Sequence, residues 1–132
     1  PTNASRALHM LEEQGLVRLN PKAGIRATVL DIIDNAKKLR IIELDSAQLP
    51  RSLDDALVAV IPMNYVISAG LSPQKQGFYF ESLEAPFALI IIAAHQDRRN
   101  DKSVQDFVKY YRSPEVKAFV EKTFNGTIKP SW

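Results

Sequence analysis

Ala47-Gln48-Leu49-Pro50-Arg51-Ser52-Leu53-Asp54-Asp55, followed at once by Ala56-Leu57-Val58-Ala59-Val60-Ile61-Pro62, is the stretch on which the fold turns. Its first half is punctuated by proline and small polar residues and predicts a short helical turn over 50–55. Its second half holds an unbroken apolar run over 57–61, of the kind found in a strand covered on both faces. Pro62 has no N–H to give to a ladder and ends that strand.

Outward from this stretch, helices and strands alternate. Toward the C-terminus a short helix is predicted over 64–69, ending at Gly70, then strands over 78–81 and 87–94 separated by a polar loop containing Pro86. Val104, Phe107, Val108 and Tyr111 stand at i, i+3, i+4 and i+7 and predict an amphipathic helix. A last helix begins at Ser113 with Pro114 in its first turn, buries Val116, Phe119 and Val120, and stops at Asn125-Gly126. Toward the N-terminus a strand is predicted over 39–44 and a helix over 28–35 with Val29, Ile32 and Ile33 as its stripe. Asn20, Pro21 and Gly24 mark a turn after a short extended piece over 16–19. Residues 3–14 predict an amphipathic helix with Ala4, Ala7, Leu8 and Leu11 on one face, capped by Thr2 or Asn3 and ended by Gly15. This alternation predicts an α/β domain.

Composition narrows the function. The chain has 132 residues, 45% hydrophobic and 24% charged, with a net charge of +2, enough for a globular body with a core. Nucleic-acid binders cluster Lys and Arg on one face, whereas here Arg98, Arg99 and Lys102 are mixed with Asp97 and Asp101, the pattern of a solvated loop. There is no cysteine, so thiolate chemistry, disulfides and Cys-bound metal drop out. The longest apolar run, 87–94, is far short of the ~20 residues of a membrane helix. A chain opening at Pro1 is expected to be processed or partial, its targeting signal lying elsewhere.

No catalytic set assembles. His9 and His95 lack a metal-binding spacing, no serine sits in a Gly-x-Ser-x-Gly turn, and no Gly-rich phosphate loop exists. Asp54 and Asp55 are adjacent in a helical turn and point apart, so they form no acid–base dyad. Arg6 alone breaks a local rule. In the first turn of its predicted helix a cation is disfavoured, by a few tenths of a kcal/mol. A carboxylate ligand would repair this by taking a bidentate bond from the guanidinium, with the amide of Asn3 one turn away. The alternative is an exposed Arg6 paired with Glu12, Glu13 or solvent.

The opening Pro1-Thr2-Asn3-Ala4-Ser5-Arg6-Ala7-Leu8 resembles the Asn-Asp-Pro-Thr-Asn-x-x-Arg-x-Leu segment of the NlpA-type, methionine-binding lipoproteins. Ala27-Thr28-Val29-Leu30-Asp31-Ile32-Ile33-Asp34-Asn35 and the run from Glu43 to Asp55 stand in that family's order and spacing. So do Ala59-Val60-Ile61, Asn64-Tyr65, Ala69-Gly70-Leu71 and Ser113-Pro114-Glu115-Val116, and the likeness covers essentially the whole chain.

The resemblance implies an α/β, type II periplasmic-binding-protein-like fold, incomplete: a second, ligand-gripping lobe over 1–82, then a crossover with the C-terminal strand and helices of the first lobe over 83–132. It implies the substrate-binding component of an ABC importer, capturing methionine or a related small carboxylate between two lobes. Such a protein is not an enzyme, needs no cofactor or metal, partners the importer's permease, and is a periplasmic or cell-surface lipoprotein anchored by an N-terminal lipid outside this chain. Carried over by residue, Arg6 matches the family arginine that grips the ligand carboxylate and Asn3 the asparagine beside it. Two other family asparagines are replaced, by Pro62 and Leu89, neither of which has a side-chain donor; Asn64 is the candidate substitute for the first. These departures predict a ligand lacking an ordinary α-amino group, or a more apolar one. They also sustain a second reading, an interaction or regulatory domain that reuses the fold without a tight small-molecule ligand.

Overall fold

A computed structural model describes residues 2–82, 85 and 90–132. The chain divides into two compact units, Pro1–Glu81 and Ser82–Trp132.

The first unit is built on α1 (Thr2–Glu13), β1 (Arg18–Leu19) and β2 (Ile32–Asp34). Leu8 of α1, Val17, Leu19 and Ala27 form its buried core, with Leu11, Val29, Ile32, Leu39 and Ile41 packed against them. α1 ends as the sequence predicts. Gly15 adopts φ +64°, its N–H bonds Glu12 O at 2.8 Å, and Leu16 N–H bonds Leu11 O at 2.9 Å, the pair of bonds by which a left-handed residue closes a helix. Glu12 Oε1 accepts the Leu19 N–H at 2.7 Å, so the helix end also fixes the first strand.

β1 pairs antiparallel with β2, Arg18 opposite Asp34 and Leu19 opposite Ile32. The helix predicted over 28–35 is therefore a correction. Only Val29–Asp31 turns, as a single 3-10 turn, because Asp31 Oδ2 accepts both the Thr28 N–H (2.8 Å) and the Thr28 hydroxyl (2.9 Å) and tightens the chain there. Those bonds, backbone first, hold the Asp31 carboxyl below the usual carboxylate range. Beyond it the β-branched Ile32 and Ile33 go into the ladder.

The remaining strand expectations are corrected too. Residues 39–44, 57–61, 78–81 and 90–94 lie outside any helix or ladder, since none finds a neighbouring strand among the described residues. Strand character survives locally in 39–42, where Leu39 and Ile41 face the core and Arg40 and Ile42 face out. The Asn35 side chain supplies what a neighbour would, accepting the Leu39 N–H at 2.8 Å and donating to its carbonyl at 2.9 Å. Leu57 is left 99% exposed. The 87–89 part of the last predicted strand lies outside the described residues.

The turn predicted at 50–55 is found as Arg51–Asp54. After Pro62 come α2 (Met63–Ser68), close to its predicted span, and α3 (Pro73–Gln76), a single short helix with no periodic signature in the sequence.

In the second unit, α4 (Lys102–Tyr111) and α5 (Pro114–Phe124) stand where predicted, and Ser113 Oγ accepts the Val116 N–H at 3.3 Å to cap α5. Asn125 adopts φ 45° at its end. Phe119 is a correction: it is 64% exposed, while Val116 and Val120 are half-buried. Phe107 stacks on Tyr111, centroids 5.9 Å apart, and Tyr111 meets Trp132 at 5.3 Å. Arg98 Nε donates to Asp101 Oδ2 at 2.8 Å in an exposed loop, as the mixed charges predict. No described helix is long and apolar enough to cross a membrane.

Candidate carboxylate site on the first unit

Arg6 is preceded in α1 by Thr2, Asn3, Ala4 and Ser5, so it sits just past the first turn rather than in it. The helix-dipole part of its predicted misfit weakens accordingly, because that field falls off within the first turn. An acid does meet the guanidinium, and it comes from the chain itself. Arg6 Nε donates to both carboxylate oxygens of Glu81 at 3.1 Å, and Nη2 donates to Glu81 Oε2. The two side chains are 32% and 17% exposed. The hydrogen bond to Glu81 raises the pKa of Arg6, its charge adding to that against the opposing effect of burial.

The partners offered by the alternative reading are engaged elsewhere. Glu12 holds the Leu19 N–H, and Glu13 Oε2 accepts the Tyr79 hydroxyl at 2.8 Å. Asn3 lies inside α1 rather than capping it, and its Oδ1 accepts from Arg6 Nη1 across a long 3.4 Å. Asn3 and Arg6 are thus brought together, and Glu81 joins them. Nothing local in the sequence points to Glu81, which lies 75 residues away; only the folded chain supplies the pairing.

Pro62 precedes α2 with φ −60° and ψ 139°, half-buried and without a donor. Asn64 is the second residue of α2, exposed, and among the described residues its side chain makes no hydrogen bond to Arg6 or Asn3. Leu89 lies outside the described residues. His9, which has no metal-binding spacing, ties α1 to the following loop through Nε2 and Gly24 O at 2.9 Å. His95 precedes the 3-10 turn Gln96–Arg98. A hollow of about 220 Å³, lined by residues including Thr2, Arg26 and Glu43, lies on the same unit and contains neither Arg6 nor Glu81.

An arginine held along one edge by Glu81, beside an asparagine, has the N–H groups to bind an anion. The sequence model of the NlpA lipoprotein family matches residues 1–132.

The chain belongs to the NlpA lipoprotein family.

Among members of the NlpA family, a protein of Vibrio cholerae named as a probable D-methionine-binding lipoprotein is 42% identical over 132 residues, covering all of this chain and 49% of the relative. A nutrient-binding protein from Burkholderia cenocepacia, solved bound to methionine, is 42% identical with a TM-score of 0.86 over all of this chain and 56% of its own. A periplasmic substrate-binding protein of an ABC transporter from Coxiella burnetii is 42% identical with a TM-score of 0.82, over 92% of this chain and 51% of its own. The chain has the incomplete, periplasmic-binding-protein-like α/β fold of these NlpA structures and spans about half the length of the relatives it matches.

Proposed function

We propose that this chain is the carboxylate-gripping part of the substrate-binding component of an ABC importer, and that the protein takes methionine or a closely related small acid. The observation that carries the reading is the Arg6 guanidinium, pinned along one edge and, among the described residues, answered on Nη1 only by the long contact to Asn3. Relatives named for D-methionine binding and one solved with methionine bound support the ligand class. The Coxiella relative's description supports the transport role and a periplasmic location. Residues 1–82 are the gripping lobe in this reading and 83–132 the return to the other lobe. The permease is the protein partner, a lipid ahead of this chain is the anchor, and neither catalysis nor a cofactor enters.

Pro62 and Leu89 shift the preference. Each polar ligand group left unpaired costs about 1–3 kcal/mol, so the ammonium of an ordinary amino acid is poorly held where two side-chain amides are missing. Calorimetry on the full-length gene product with L-methionine, D-methionine and 4-(methylthio)butanoate tests this. The desamino acid is expected to bind at least tenfold more tightly than either methionine. Nanomolar binding of a methionine removes the shifted preference and leaves the transport reading. If no small acid raises the melting temperature, the second reading, an interaction module on the same fold, takes its place.

A further inference from the structure

The Arg6–Glu81 pair does more than join two segments. A guanidinium has N–H groups along two usable edges, and Glu81 takes the inner one, Nε together with Nη2. Among the described residues the outer edge, formed by Nη1 and the second hydrogen of Nη2, carries only the 3.4 Å contact to Asn3. A flexible side chain that must be ordered at the moment of binding weakens binding by the freedom it loses; one ordered beforehand does not. Glu81, the more buried partner, is itself placed by an extended ribbon whose Tyr79 hydroxyl is bonded to Glu13 of α1. The guanidinium plane is therefore fixed from behind by two tethers on the same helix.

We propose that Glu81 is a positioning residue for ligand capture: it holds the inner edge of Arg6 so that the outer edge is presented, already oriented, to the carboxylate of the bound solute. This rests on the reading of Arg6 as the carboxylate anchor. A second acid close by also lowers the net charge at the site, so what the ligand meets is chiefly a fixed geometry rather than a strong field, and binding should depend only weakly on salt.

Calorimetry on the full-length gene product, with L-methionine and 4-(methylthio)butanoate as probes, separates the possibilities. Arg6→Ala should abolish binding of the tighter probe; if it does not, the anchor reading itself fails. Given that loss, Glu81→Gln should weaken the probe at least tenfold and Glu81→Asp should restore part of the affinity. Tyr79→Phe, which removes the second tether without touching Arg6, should weaken binding, by less than Glu81→Gln does. Melting temperatures of the ligand-free variants identify any that fail to fold. Independently of ligand, the Arg6 Nε–H proton should exchange slowly in the unaltered protein and rapidly in Glu81→Gln. Unchanged or tighter binding by Glu81→Gln, with Arg6→Ala inactive, overturns the positioning role and makes Glu81 a competitor for the site.

Discussion

Leu8 is 2% exposed at the centre of the first unit's core, where α1 meets Val17, Leu19 and Ala27. Leu8→Ala is expected to cost about 3 kcal/mol, the transfer of the lost methyl groups plus the cavity they leave, and a urea melt of the full-length protein would read it as a lowered midpoint. An unchanged midpoint would mean that the site collapses without loss. Leu8 and Arg6 were both legible from local signals, one from a 3.6-residue stripe and the other from a cation near a helix start. Glu81 was not. An acid in an aromatic ribbon looks like any solvated acid until folding brings it against α1, and no spacing rule reaches across 75 residues.

Among elements, those with marked ends were read best. Gly15 closes α1 at φ +64° with both terminal bonds in place, and Gly15→Ala is expected to destabilise by roughly 1 kcal/mol, since a Cβ strains the left-handed conformation. The test is a drop in thermal midpoint for Gly15→Ala, which is conformational in origin because a Cβ there meets nothing within 4 Å. No drop at Gly15 would show that the terminus relaxes into another closure. Ser113 and Pro114 announced α5 in the same way. Residues 28–35 were misread because Val29, Ile32 and Ile33 satisfy a helical spacing while being β-branched. Asp31 decided the outcome by binding Thr28 and ending the turn after Val29–Asp31. α3 was missed because four residues carry no periodicity to detect.

For the molecule, fold class and family were legible because the run from Ala47 to Asp55 and its neighbours stand in a distinctive order. Strand pairing was not, since a ladder belongs to two segments and the apolar run at 57–61 names only one of them. Leu57 at 99% and Ile90 at 98% exposure are what such unpaired segments look like, in a chain that covers 49% of its Vibrio relative. The ribbon at 78–81 takes a further turn. Tyr79 and Glu81 bond back to α1, while Phe78 is 80% and Phe80 51% exposed. Oiliness is thus no compass for this strip: anyone docking it by hydropathy would lay it on the helix back to front, with its rings inward and its grip on Arg6 turned to the water.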